Sequence, residues 1–268
     1  MPLFGLPCGT LRFGATSMRE ACPNSQFKAK VKRQKKKSFT FLLFTFYFFI
    51  PTPQVLMSRT REPLISLALY HAFKWSVVSP MLHAYFRGRI YGVENVPQSG
   101  PVVVVSNHAS YFDPPIVSNC VRRPVAYMAK QELFEIPVLA QAIKLYGAYP
   151  VSRGSADRNA IRAALEYLEN GWAVGVFLEG TRTPDGRISD PKRGAALLAA
   201  KAKAPILPVC LWGSENILQK GSSVPRAVPL TVRIGNLIDT PSSTNKDELE
   251  SITQKCAAAI NQMHDLGR

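Results

Sequence analysis

The sequence predicts an α/β fold, in which helices flank a largely parallel or mixed central sheet. From residue 88 onwards, seven short apolar runs alternate with helix-like stretches, and this alternation favours parallel strand pairing. The run at 102–105 is four consecutive valines, which is typical of a strand buried on both faces. A chain of 268 residues is also long enough to bury a full core.

The seven apolar runs are the predicted strands. They lie at 88–93, 102–106, 125–129, 148–152, 174–178, 206–211 and 229–234. The clearest helix between them spans 155–170, where Ser155 can cap the start and Gly171 ends the last turn.

Three further helices are predicted from their starts or their apolar stripes. One spans 191–203 with a proline in its first turn, and another spans 246–264 with apolar residues along one side. A third is expected to begin at Pro114 with Asp113 as its cap, because proline is favoured at the first helical position.

Charge divides the chain into two unequal parts. Residues 1–56 carry nine Lys or Arg and one acidic residue, a net charge of +8, whereas residues 57–268 carry 24 basic and 17 acidic residues, a net charge of +7. Such a surplus suggests an anionic partner, which could be nucleic acid, a membrane surface or a phosphorylated substrate.

Residues 1–56 are predicted to be a basic leader, either disordered or targeting. The basic run at 28–37 precedes a twelve-residue apolar run at 39–50, which is shorter than the roughly 20 residues that a spanning helix needs. No small-residue cleavage site follows. The folded protein is therefore expected to begin near Met57, and a true membrane anchor in the leader is the alternative.

The segment at 63–86 has a different composition, since it is apolar and aromatic with Lys74 as its only formal charge. Pro80 interrupts it, which favours two short helices or one kinked helix. The aromatic content suits a membrane interface, although packing on the domain core is an equal alternative. The predicted organisation is thus membrane-associating helices at 57–87 followed by the α/β domain at 88–268.

The five cysteines are scattered and have no metal-ligand spacing. This pattern indicates a reducing compartment. The last three, Cys120, Cys210 and Cys256, are expected to be small core residues.

A histidine and an aspartate follow the valine strand. His108 comes directly after it and Asp113 lies five residues further on, in the kind of loop where α/β sheets place their active sites. A carboxylate that holds one ring nitrogen fixes the tautomer and leaves the other nitrogen as a base. A structural histidine beside a helix-capping aspartate is the plainer alternative.

Basic residues and a second acid follow other strands. Glu179 ends a buried strand and needs a partner there, and Gly180 allows a ligand to approach the backbone. Arg153 and Arg182 offer guanidinium groups for a phosphate or carboxylate. The pair at 192–193 opens a predicted helix, whose dipole favours anions. Together they predict an anion site beside a base, although each alone could be a solvated surface group.

Four of these stretches together resemble the motifs of the glycerolipid acyltransferase family, the lysophosphatidic acid acyltransferases. N-H-A-S-Y-F-D at 107–113 resembles the NHx4D motif, Y-P-V-S-R at 149–153 the second motif, and F-L-E-G-T-R at 177–182 the third, usually F-P-E-G-T-R. The apolar strand at 206–209, which carries a proline, resembles the fourth. The resemblance covers roughly residues 60–240, and Leu178 departs from the usual proline.

The resemblance implies a role for each matching residue. His108 would remove the proton of the acceptor hydroxyl and Asp113 would orient it, without a metal or cofactor. The other implied substrate-binding residues are Arg153 for the acceptor phosphate, Glu179, Gly180, Thr181 and Arg182 for the acceptor pocket, Lys192 and Arg193 as outer contacts, and Pro208 for the acyl pocket.

The resemblance also implies an O-acyltransferase of phospholipid biosynthesis. It would move a fatty acyl chain from acyl-CoA or acyl-ACP to 1-acyl-glycerol-3-phosphate and make phosphatidic acid. Its partners would be these substrates and an anionic membrane surface, on the cytoplasmic face, and not nucleic acid. The alternatives are a different acceptor, such as glycerol-3-phosphate or another lysophospholipid, or a basic membrane-binding module without catalysis.

Overall fold

The computed structural model describes residues 64–145, 147–151, 158–218 and 224–268. The predicted leader at 1–56, the proposed cap Ser155 and the predicted site residue Arg153 lie outside these residues.

The described part of the chain is built on one seven-stranded sheet. Its strands are β1 Arg89–Tyr91, β2 Val102–Ser106, β3 Val125–Lys130, β4 Tyr149–Val151, β5 Ala173–Phe177, β6 Ile206–Trp212 and β7 Thr231–Ile234. Their order is β1-β7-β6-β2-β5-β3-β4. All neighbouring pairs are parallel except β6 and β7, which are antiparallel. The predicted α/β class with a largely parallel, mixed sheet is therefore confirmed.

Helices cover both faces of the sheet. They are α1 Leu64–Phe73, α2 Asp113–Val121, α3 Pro137–Leu145, α4 Arg158–Glu169, α5 Gly194–Ala202 and α6 Lys246–Asp265. Strand β2 shows the two layers, because Val102 and Val104 belong to a core that includes α2, while Val103 and Val105 belong to a core that includes α4, α5 and α6. All five residues of β2 are buried, which explains its uninterrupted apolar run.

The N-terminal segment stays helical from 64 to 85, and Pro80 does not divide it into two short helices. After α1 the chain continues in π-helical turns at Lys74–Val78 and Met81–Tyr85, on either side of Pro80. Leu82 belongs to the domain core, whereas the Trp75 side chain is 67% exposed. The segment thus has one face on the core and one in solvent. In the described ranges, no helix has the length and apolar character required to cross a membrane.

Helix α5 begins later than predicted, so Pro191 is not in its first turn. Its first residue is Gly194, with Arg193 in the capping position. The preceding residues are held in a loop instead, because the Glu179 carboxylate accepts hydrogen bonds from the backbone of Ser189 and Asp190. This tertiary contact overrides the local preference of proline for a helix start.

The prediction that Asp113 caps a helix beginning at Pro114 is wrong, because Asp113 is itself the first residue of α2. Pro114 and Pro115 have no N–H groups to be capped, and the next amide, of Ile116, already bonds to the carbonyl of Phe112. The carboxylate turns back to the preceding loop.

Gly175 on β5 leaves room for the ring of Tyr127 on the neighbouring strand β3. It lies opposite Tyr127 in the register, and a Cβ atom at Gly175 would lie 2.1 Å from Cε1 of the Tyr127 ring. Only a residue without a side chain fits there while the ring keeps its place.

We expect Gly175→Ala to lower the free energy of unfolding by about 1–3 kcal/mol, because the added methyl group forces the ring out of its position. Urea unfolding measures this change. Gly194→Ala is the control, since among the described residues, its chain neighbours and its own helix backbone aside, no atom lies within 4 Å of the added Cβ. Equal stabilities of the two variants would contradict the packing argument.

Candidate active site

Two loops meet at the carboxyl edge of strands β2 and β5. The two strands are parallel and in register, with Ser106 opposite Phe177, so the loops that follow them leave the sheet side by side. The backbone N–H of Thr183 donates to the carbonyl oxygen of His108 at 2.7 Å. The sheet register therefore brings the first and third sequence motifs together.

His108 and Asp113 form a hydrogen-bonded pair. Nδ1 of His108 lies 2.8 Å from Oδ2 of Asp113, and the same oxygen accepts the backbone N–H groups of Ala109 and Ser110, each at 2.7 Å. Because Oδ2 accepts from two backbone amides, it is an unprotonated carboxylate oxygen. The hydrogen bond to it from His108 is therefore donated by the N–H group at Nδ1. This leaves Nε2 as the nitrogen that can accept a proton.

Burial differs between the two members of this pair. Asp113 is fully buried, while the His108 side chain retains 17% of its exposure. The buried carboxylate fixes the orientation of the imidazole. The imidazole itself is partly exposed, so its Nε2 can contact a substrate, as a general base must.

Phe177, which the sequence analysis did not select, fixes the plane of the imidazole. Its ring stacks on His108 with a centroid distance of 3.9 Å and an interplanar angle of 15°. The ring of Tyr127 stacks in turn on that of Phe177, with a distance of 5.5 Å between the ring centroids. The only sequence signal was the phenylalanine that opens the third motif, where it looks like the last residue of an apolar strand.

Asn107 is a second residue that the sequence analysis did not select. Its buried amide donates to the carbonyl oxygens of Gly186 and Leu211, at 2.6 and 2.8 Å, and accepts from the backbone N–H of Leu211. The residue before His108 is thus fastened both to strand β6 and to the loop after Thr183.

Arg182 is the basic group beside this pair of loops. Its guanidinium carbon lies 3.7 Å from the ring centroid of Tyr111, and its Nη2 donates to the tyrosine hydroxyl at 2.8 Å. No ion pair with a carboxylate involves Arg182 within the described ranges. Arg182 is also exposed, so its guanidinium group is accessible to an anion.

The other residues of the third motif divide into two roles. Glu179 is used internally, because its Oε1 accepts from the Ser189 hydroxyl at 3.0 Å and from the Asp190 backbone at 2.9 Å. Gly180 has a φ of +69°, and apart from its chain neighbours no atom of the described residues lies within 4 Å of an added Cβ. Thr181 is exposed. Gly180 and Thr181 therefore leave the backbone open to a ligand.

The remaining predicted residues are less directly connected to the pair. Lys192 forms an ion pair with Asp190, and Arg193 lies 3.7 Å from a carboxylate oxygen of Glu250. Pro208 is buried within strand β6 opposite Val105 of β2 and is not in a loop at the edge. The structure groups His108, Asp113 and Arg182, and it does not bring Pro208 into this group.

None of the described cysteines can serve as the nucleophile. Cys120, Cys210 and Cys256 are buried, and burial raises the pKa of each thiol to about 12. A thiol with that pKa holds its proton at neutral pH. The groups available at this edge are an imidazole that can accept a proton and a guanidinium that can bind an anion.

Comparisons with known proteins found similar sequences and a similar fold. A family model described as Acyltransferase matches residues 87–212. The chloroplastic 1-acyl-sn-glycerol-3-phosphate acyltransferase of Brassica napus is 32% identical over 151 residues, which cover 55% of this chain and 43% of that protein. The enzymes of that name from Borreliella burgdorferi and Bacillus subtilis are each 30% identical, over 61% and 50% of this chain and over 67% and 68% of their own lengths.

The match therefore spans less than half of the Brassica protein and about two thirds of the bacterial ones. A crystal structure of the 1-acyl-sn-glycerophosphate acyltransferase of Thermotoga maritima is similar in fold, with a TM-score of 0.64 and 23% identity. The similarity covers 84% of this chain and 88% of that one.

Proposed function

Because this chain belongs to the acyltransferase family, we propose that it transfers a fatty acyl chain from a thioester to the free hydroxyl of a 1-acyl-glycerol-3-phosphate. The product is phosphatidic acid, and acyl-CoA or acyl-ACP is the donor. The observation that carries this proposal is a histidine base, held by a buried carboxylate, beside an arginine without a carboxylate partner among the described residues.

In the proposed reaction, Nε2 of His108 takes the proton of the acceptor hydroxyl. The hydroxyl oxygen then attacks the thioester carbonyl, the carbon–sulfur bond breaks, and the thiol leaves with a proton from the imidazolium. Asp113 stabilises the charged imidazole between these two steps. No covalent enzyme intermediate is required, which agrees with the protonated, buried state of the described thiols.

Charge supports a phosphorylated acceptor. Lys192 and Arg193 are already paired with carboxylates, whereas Arg182 is held on an aromatic face with its charge unmatched among the described residues. A planar guanidinium fits a phosphate with two parallel hydrogen bonds. We assign Arg182 to the acceptor phosphate, together with Arg153 from the second motif.

Membrane contact is proposed for the segment that precedes the domain. The acceptor keeps its acyl tail in lipid, so the site must meet a bilayer surface. Trp75 is exposed on this segment and Tyr85 is partly so, as is usual for rings at headgroup level. The surplus of positive charge would add attraction to the anionic cytoplasmic leaflet, at about 1 kcal/mol per basic group near the surface.

Purified full-length protein should release thiol from acyl-CoA or acyl-ACP only when 1-acyl-glycerol-3-phosphate is present in vesicles or detergent. We expect His108→Ala to lower kcat by roughly 10²–10⁴-fold, the usual contribution of a general base. Asp113→Asn, which keeps the shape of the buried side chain, should have a similar effect. The double variant should be little worse than His108→Ala, because the two residues act as one unit.

Other outcomes of this assay lead to other conclusions. Thiol release with glycerol-3-phosphate or another lysophospholipid would change the acceptor and keep the reaction. Vesicle binding without thiol release from any donor would favour a membrane-binding module. Losses that multiply in the double variant would show that His108 and Asp113 act independently.

Arg182→Ala should raise the KM for the acceptor roughly 10–100-fold and leave the KM for the donor unchanged, because it removes charge-assisted hydrogen bonds to the phosphate. Tyr111→Leu should raise the same KM by a smaller factor, since the cation–π contact is worth about 0.5–2 kcal/mol. Steady-state kinetics with each substrate varied in turn measure both effects. Arg187→Ala is the matched control, because Arg187 pairs with Asp265. An equal rise in both KM values would contradict the assignment.

Trp75→Ser should weaken binding of the full chain to anionic vesicles by about tenfold or more, since burying a large apolar side chain contributes about 1.5–3 kcal/mol. Vesicle sedimentation at low and high salt separates the apolar from the charged contribution. Leu266→Ser, which changes an equally exposed apolar residue at the C-terminus, should bind as the unchanged protein does. If both variants bind equally well, the contact lies elsewhere in the chain.

A further inference from the structure

The two carboxylate oxygens of Asp113 differ in their hydrogen bonding. Oδ2 accepts three hydrogen bonds, from His108 and from two backbone amides. Oδ1 is equally buried and has no hydrogen-bond partner among the described residues. A buried carboxylate oxygen in an apolar core is costly unless a donor reaches it, so a donor for Oδ1 is expected nearby.

Two buried hydroxyl groups in the same layer also have no hydrogen-bond partner in the described ranges. They are the hydroxyl of Tyr127 on β3 and Oγ of Ser118 on α2. Both residues are almost completely buried, with 4% and 0% exposure. Tyr127 packs in the core that contains the α2 residues Ile116 and Cys120, so it lies on the side of the sheet that carries the helix beginning with Asp113.

The Tyr127 ring is linked to His108 through the ring of Phe177. It stacks on Phe177, which stacks on His108, so three rings form a continuous column. Strand β5 makes room for this column with Gly175, where a Cβ would overlap the Tyr127 ring. The ring is thus fixed by packing, and its hydroxyl has a defined position.

The hydroxyl of Tyr127 remains protonated and can donate. Burial raises the pKa of Tyr127 well above its ordinary value, and the neighbouring Tyr70 and Asp113 raise it further. Asp113 and Ser118 both lie on α2, whose apolar residues share a core with Tyr127.

We propose that Tyr127 is a positioning residue for the His108–Asp113 pair, and that its hydroxyl shares an ordered water with Ser118 Oγ and Asp113 Oδ1. The assignment of a catalytic effect rests on the proposed acyl transfer. Three polar atoms from three buried side chains are the number that a buried water usually binds.

This arrangement would fix the carboxylate at both oxygens. Oδ2 is held by the loop and Oδ1 by the water, so the carboxylate cannot turn about its own axis. Nδ1 of His108 then has a single acceptor direction, and Nε2 keeps one orientation toward the substrate. Tyr127 acts only through Asp113, and it touches neither substrate nor the reacting atoms.

Tyr127→Phe tests the proposal while it preserves the ring column. We expect kcat to fall about tenfold, in line with the loss of one hydrogen bond to a charged group, with the KM of both substrates unchanged. Ser118→Ala should lower kcat in the same way by a smaller factor. The NMR resonance of the His108 Nδ1 proton, assigned by its absence in His108→Ala, should move in Tyr127→Phe, because the carboxylate that it bonds to has changed.

Tyr149→Phe is the matched control. It also removes a hydroxyl from a buried tyrosine, one that has no hydrogen-bond partner in the part of the chain that the structure describes. Tyr149, however, packs in the opposite core, with Tyr167 as its ring neighbour. Kinetics and the Nδ1 resonance should match those of the unchanged protein. The proposal is overturned if Tyr127→Phe behaves as Tyr149→Phe does in both measurements, or if its lower kcat comes with an unmoved resonance and a lower melting temperature.

The NMR measurement needs no turnover, so it separates this inference from the proposed function. If the unchanged protein releases no thiol with any acceptor, the proposed reaction fails. A moved resonance in Tyr127→Phe would still support the buried link between Tyr127 and Asp113, and an unmoved resonance would overturn it.

Discussion

The three hydrogen bonds on Oδ2 of Asp113 organise the candidate active site. They bring the carboxylate to the imidazole of His108 and also close the loop at Ala109 and Ser110. The same atom therefore sets the backbone of the loop and the tautomer of the base. Because the carboxylate is fully buried, its charge is compensated only by these donors and by what reaches its other oxygen. The orientation of the base follows from this network.

The sheet register supplies the second constraint. Strands β2 and β5 are parallel and end together at Ser106 and Phe177, so the histidine loop and the arginine loop emerge at one edge. A shift of one residue in this pairing would turn Phe177 to the opposite face and remove the ring on which His108 stacks. Because both strands are buried between two helical layers, such a shift would also exchange their core contacts, which makes the register strongly specified.

Local patterns predict the strands well because each is a short apolar run in a buried sheet, and all seven predicted runs overlap an observed strand. Helix starts are predicted less well, since the start of α5 at Gly194 depends on the carboxylate of Glu179, which lies fifteen residues upstream and holds the loop before the helix. The roles of Asn107 and Phe177 depend on partners more than 65 positions away in the chain. An apolar strand end and a buried amide carry no local sign of such partners, whereas His108 and Asp113 are only five residues apart in the sequence.

The negative and positive charges of the candidate site differ in burial and in the groups that hold them. The negative charge of Asp113 is buried and held by hydrogen-bond donors that belong to the folded protein, which suits a group that must keep one geometry. The positive charge of Arg182 is exposed and held on the face of Tyr111, which orders the guanidinium without neutralising it. A carboxylate partner would compete with an anionic substrate, but an aromatic ring does not. This difference explains why the charge that positions the base is internal to the fold, while the charge that would select the substrate faces solvent.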